Sequence, residues 1–139
     1  MVREANKLAI AAAVQAVPPD RPAMLDRAIF AELVDEIGLD SLRAAFDVFV
    51  SETIVRLDLM RRLSVNVDRE RIKDEAHALK GAAGTLGLAQ VSDLAATLQR
   101  SALFITPADY VDLVDRMAAC FHSARQVAEQ SIAGAEQAA

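Results

Sequence analysis

The sequence predicts an all-α domain, an up-and-down antiparallel four-helix bundle with an additional short N-terminal helix. Three observations predict it. Apolar residues recur at spacings of three and four along most of the chain, which is the period of an amphipathic helix and not of a strand. Trp is absent and only one Tyr appears, although β-rich domains lean on aromatic and β-branched residues. The periodic runs are separated by short breaks, and short connections between long helices make neighbours antiparallel. At 139 residues the chain fits one domain able to bury a core without disulfide or metal staples.

The opening MVREANKLAIAAAVQAV resembles a signal peptide only briefly. Gln15 interrupts its short apolar run, and Glu4 sits where positive charge belongs. Residues 1–25 are therefore read as an N-terminal extension, partly helical or flexible, and PPDRP (18–22) cannot continue a helix. The bundle is assigned to residues 26–132. Asp26 caps a short helix carrying Ile29, Leu33 and Ile37, and Gly38 is its stop. Asp40 or Ser41 is the expected cap of a longer helix with Leu42, Phe46, Phe49, Val50, Thr53, Leu57, Met60 and Leu63 on one stripe. SVNVD (64–68) breaks the pattern, and Asp68 is the expected cap of a third helix that runs to about Leu86, with Gly87 as its stop. A fourth, ending near Leu103, shows Val91, Leu94, Leu98 and Ala102. Thr106-Pro107 then opens the last, a capping residue followed by proline at the first helical position. Its apolar side is read as Val111, Val114, Met117, Ala118, Phe121, Ala124 and Ala128, and residues 133–139 as a frayed tail.

A net charge of −5 argues against a nucleic-acid partner, which normally meets a basic excess. The longest apolar run falls short of the roughly 18 residues a membrane span needs. The expectation is a cytoplasmic monomer without membrane attachment. The single Cys120 excludes an intramolecular disulfide framework and a CxxC site, and reads as a small helix-compatible residue.

One stretch resists this plain reading. AHALKGAAGTLGL (76–88) lies in the third helix, yet holds three of the five glycines and one of the two histidines. Gly81 and Gly84 each cost about 1 kcal/mol relative to Ala inside a helix. On a helical wheel with His77 at zero, Leu79, Leu86, Ile72 and Ala83 fall at roughly 180° to 240°. Glu70, Lys73, Asp74, Lys80, Gly81 and Gly84 fall within roughly 60° of His77. The histidine thus centres the polar face, opposite the core. Gly81 and Gly84, one and two turns on, read as clearance that admits a partner to the ring. Lys80, at the third position after His77, can set its ammonium beside a negative charge attached there.

Phosphoryl transfer needs these residue types. Neutral imidazole offers a free nucleophilic nitrogen at neutral pH and accepts a phosphoryl group as a reactive phosphoramidate. These residues resemble the signature of the histidine-containing phosphotransfer (HPt) domains of bacterial phosphorelays. In that family a His is followed by Leu at the second position, Lys at the third and Gly at the fourth, then small residues and a Gly-hydrophobic pair. Here those are His77, Leu79, Lys80, Gly81, Ala82, Ala83 and Gly84, then Leu86, Gly87 and Leu88. The resemblance implies a phosphorelay intermediary in a two-component system. It would accept a phosphoryl group from the aspartate of one receiver domain, such as that of a hybrid histidine kinase, and pass it to another. His77 is the implied acceptor and donor at a ring nitrogen, commonly the outer one. Lys80 supports the phosphate charge, and Gly81 and Gly84 give the partner access. The implied Mg²⁺ belongs to the receiver, and the chain needs no cofactor or metal of its own.

Other readings fit less well. GAAGTLG (81–87) is not a nucleotide-binding loop, because Lys80 precedes the glycines and no strand leads into them. Autonomous kinase activity would need an ATP-binding α/β domain, for which no pattern exists. A kinase dimerisation domain usually carries an acidic residue directly after its His, where Ala78 stands. The alternative from another class is a non-catalytic helical interaction module that docks through Lys73, Lys80 and the open glycines. His122, on the flank of the last helix, is assigned no role, and no HxxxH spacing suggests a metal site. The docking surface is expected around His77 and on the exposed side of the 41–63 helix.

Overall fold

The computed structural model describes residues 23–138, in which five helices and no strand form. These are α1 (Arg27–Ile37), α2 (Leu39–Arg62), α3 (Arg69–Thr85), α4 (Ala89–Ser101) and α5 (Pro107–Ala138). Each of α2 to α5 packs on its neighbours in sequence, and α5 closes the ring against α2, so the four form an up-and-down bundle. The leading segment and PPDRP lie outside the described residues.

The core is the stripe set by the helical period. Phe46, Phe49, Leu57 and Met60 of α2 face Ile72, Leu79 and Ala83 of α3, Val91 and Leu98 of α4, and Met117 and Phe121 of α5. Phe49 packs edge-on against Phe121, with ring centroids 5.9 Å apart. Two register details differ from the sequence reading. Tyr110 is buried at the start of α5 and Val111 is 59% exposed, because the first turn enters the bundle at Tyr110, whose hydroxyl donates a 2.6 Å hydrogen bond to the Met60 carbonyl. No residue of α1 is fully buried, and Ile37 is exposed, since α1 caps one end of the bundle and lies along no long groove.

The junctions explain the element ends. Asp26 caps α1, its Oδ1 accepting from the Ala28 and Ile29 amides. Leu25, just before it, is buried in the core, so the folded unit reaches at least one residue further back than 26. Gly38, at φ 83°, both ends α1 and begins α2, which leaves no side-chain cap for Asp40 or Ser41 to supply. Asp68 precedes α3 but its carboxylate accepts from the Ser64 amide, closing the α2–α3 turn instead of capping the helix. Thr106 caps α5 through the Asp109 amide.

The C-terminal segment departs most from expectation. α5 continues without a break to Ala138. Ile132 is buried in the core, and Arg43 of α2 bridges Glu129 and Glu136 of α5. The residues after Ile132, with that core anchor just before them and Glu136 paired to Arg43, stay helical where isolated helix ends fray. Residue 139 lies outside the described residues.

Candidate functional site

α3 presents its sides as the wheel requires. Ile72, Ala76, Leu79 and Ala83 are buried, whereas His77, Ala78, Lys80 and Gly81 are exposed. A Cβ added at Gly81 meets nothing within 4 Å, so the surface one turn beyond His77 is open.

Gly84 is a correction. Its absent Cβ would stand 3.3 Å from Ser92 Oγ on α4, and Ser92 in turn donates a 2.9 Å hydrogen bond to the Lys80 carbonyl. Gly84 therefore allows close approach of α4 to α3 and is not clearance for a partner. The wheel placed it correctly around α3 but could not show on which flank of His77 the next helix lies. Gly87, at φ 81°, ends α3 in a conformation that favours glycine, and its carbonyl accepts from the Asp26 amide at 2.7 Å. That bond ties α1 to the α3–α4 turn.

The close packing of α3 on α4 brings in a residue the sequence reading missed. Nε2 of the Gln99 side-chain amide lies 3.0 Å from His77 Nδ1, across 22 residues of sequence. A glutamine amide presents either its NH₂ or its carbonyl oxygen to a partner by rotation, so Gln99 suits either ring tautomer. With Nδ1 engaged, Nε2 makes no hydrogen bond among the described residues.

Lys73 and Lys80 flank the ring on the α4 side. With Ala96, Gln99, Arg100, Leu103 and Phe104 they line an open groove of about 410 Å³ between α3 and α4. Every charged side chain lining it is a cation, in a chain whose net charge is −5. On the other flank Glu75 pairs with Arg56 of α2 at 2.9 Å and with Arg71 at 3.2 Å. Burial opposes ionisation of Glu75, but the two guanidiniums outweigh it and hold its carboxyl below the usual range.

The remaining sequence candidates are unremarkable in place. His122 is exposed on α5, and Cys120 is half-buried beside the core. Among the described residues no group of three His, Cys, Asp or Glu side chains could hold a metal ion. None of the described helices is long and apolar enough to cross a membrane.

An exposed imidazole at mid-helix, steadied at Nδ1 and flanked by lysines, can act as a nucleophile on an anionic electrophile. Comparison with known families agrees: the model of the Hpt domain family matches residues 44–127. The chain belongs to the Hpt domain family. Membership implies a histidine phosphotransfer role in phosphorelays, and Hpt domains work with receiver domains. The match spans most of α2, all of α3 and α4, and the first two thirds of α5, whereas α1 and the end of α5 lie outside it. No curated protein and no solved structure matches the chain.

Proposed function

We propose that this Hpt domain is a phosphorelay intermediary that accepts a phosphoryl group on His77 from the aspartyl phosphate of one receiver domain and passes it to the aspartate of another. The observation that carries the reading is the pair His77–Gln99. Rotating the Gln99 amide by half a turn puts its carbonyl oxygen in the place of Nε2 beside Nδ1. There it accepts from Nδ1–H, and the ring keeps its lone pair on its own Nε2. That lone pair attacks phosphorus. The N–P bond forms as the acyl P–O bond breaks, and the electron pair leaves with the receiver carboxylate. No proton need move, because Nδ1–H stays on the ring, where the Gln99 carbonyl dipole offsets the positive charge the ring acquires.

Lys80, one turn along α3, carries the charge that offsets the phosphate on Nε2. Gly81 leaves the approach open. The divalent metal that neutralises the transferring group is the receiver's, and this chain is proposed to act without a cofactor.

The test is transfer of radiolabel from a phosphorylated receiver domain. Wild type should acquire label that is acid-labile and base-stable, and His77→Gln should acquire none. Equal labelling of His77→Gln, or no labelling of wild type by any receiver, contradicts the proposal.

A further inference from the structure

The turn that follows α4 carries two large apolar side chains that the bundle does not use. Leu103 is 48% exposed and Phe104 is 74% exposed. They are not on a loose loop. Ala102 and Ile105 on either side are buried, and the Arg69 guanidinium donates to both of their carbonyls, at 3.0 and 2.9 Å. The Phe104 and Ile105 amides donate back to the Ser101 carbonyl at 3.0 and 2.8 Å. A turn clamped this way presents its apolar pair in a fixed position, so a partner that covers it loses little to ordering.

The pair also closes one end of the groove that begins at Lys80 and passes Gln99, the residue on His77. From the histidine outward the surface is thus continuous: imidazole, then the cations Lys73, Lys80 and Arg100, then Leu103 and Phe104. Glu70 and Asp74 share the exposed face of α3 but do not line the groove.

We propose that the phosphorylated receiver domain docks along this α3–α4 groove as well as over His77, and that Leu103 and Phe104 are specificity-determining contacts for it. The proposal rests on the phosphotransfer reading. The occupant follows from continuity and charge. A partner that delivers a phosphoryl group to His77 must cover the adjoining surface. It brings a phosphate and the carboxylates that hold a divalent metal, and hard cations of that kind are bound by oxygen ligands. Such a centre is anionic around its rim and meets Lys73, Lys80 and Arg100 with complementary charge. An exposed aromatic at the edge of that contact is the kind of side chain that dominates binding and discriminates between partners.

The experiment measures initial rates of phosphoryl transfer against receiver concentration, using a panel of isolated receiver domains phosphorylated by a small-molecule phosphodonor. Wild type is compared with Phe104→Ala, with Leu103→Ala/Phe104→Ala, and with Ile37→Ala, an exposed apolar control on α1. Helicity and melting temperature are recorded for each, and exposure of the pair predicts that both stay at the wild-type value. For the receiver that serves wild type best, the half-saturating concentration should rise about tenfold for Phe104→Ala and further for the double variant. The rate at saturation should stay unchanged, and Ile37→Ala should match wild type. An unchanged half-saturating concentration overturns the inference, and so does a loss confined to the saturating rate. If Phe104→Ala instead abolishes self-association of wild type and leaves transfer untouched, the pair serves a second copy of the chain and the inference fails. Wild type that takes no phosphoryl group from any receiver defeats the phosphotransfer reading itself, whereas normal wild-type transfer with an indifferent Phe104 defeats this inference alone.

Discussion

Gln99 of α4 places its side-chain amide 3.0 Å from Nδ1 of His77 on α3, and so fixes one nitrogen of the ring while the other stays open. The arrangement separates orientation from nucleophilicity. Gln99 positions, and the imidazole reacts. Removing the amide should therefore slow the chemical step and leave docking alone. Gln99→Ala should lower the saturating transfer rate about tenfold, the equivalent of one ordinary hydrogen bond of about 1.4 kcal/mol, with an unchanged half-saturating receiver concentration. Gln99→Glu, which retains an acceptor for Nδ1–H, should recover most of the loss. Single-turnover kinetics over a range of receiver concentrations decides the point, and a change in half-saturation alone would assign Gln99 to docking instead.

The two mid-helix glycines of α3 should respond oppositely to the same substitution. Gly81→Ala adds a methyl group into open space and should stabilise the fold by about 1 kcal/mol, the ordinary helical advantage of alanine. Gly84→Ala sets its Cβ 3.3 Å from Ser92 Oγ, which is already committed to the Lys80 carbonyl, so most or all of that gain should be lost. Urea denaturation of both variants measures the difference. Gly81→Leu should also fold, yet transfer more slowly because its side chain obstructs the approach to His77. If it is strongly destabilised instead, Gly81 lies in a tight packing contact.

Tyr110 gives the domain a spectroscopic handle, since it is the only tyrosine and no tryptophan is present. Burial, with a smaller contribution from Asp68, pushes its hydroxyl up to about 12. The folded value is raised above the unfolded value near 10, so the group's contribution to stability is complete below about pH 10. It is lost as pH rises from there through about 12. Absorbance titration at alkaline pH should show the tyrosinate midpoint near 12 in the native domain and near 10 in denaturant. Coincident midpoints would mean that Tyr110 is solvated and its bond to the Met60 carbonyl is not formed.

The end of α5 should be held by its core anchor more than by its ion pairs. Ile132→Ala removes a buried side chain and should cost about 2–5 kcal/mol. Arg43→Met leaves Glu129 and Glu136 in reach of water and should cost far less. Chemical denaturation ranks the two, and the reverse order would make the Arg43 bridge the principal tie.

Most of the fold was legible because it follows from periodicity. The α2 stripe from Leu42 to Met60 is buried as its spacing requires, and Asp26, Gly38 and Thr106 end or begin helices for local reasons. The same arithmetic put His77 on the exposed face of α3. What it could not give were relations between helices. Gly84 and Gln99 take their meaning from the side on which α4 packs, and no local pattern near either residue encodes that. The tail was misjudged for a similar reason. Its small and polar residues look free to fray, but Ile132 just before them is buried in the core and Glu136 pairs with Arg43 of α2. Leu103 and Phe104 extend the apolar run of α4 in sequence, and their exposure emerges only once Arg69 fixes the turn.

The most direct test of the account is the state of the His77 ring after phosphorylation, read by long-range proton–nitrogen NMR on the nitrogen-15-labelled domain. Transfer through the open ring nitrogen predicts phosphorus on Nε2 and a retained proton on Nδ1, with the Gln99 side-chain amide shifted in step. Phosphorus on Nδ1, or a His77 ring that does not change when the domain is charged by a receiver, would contradict it.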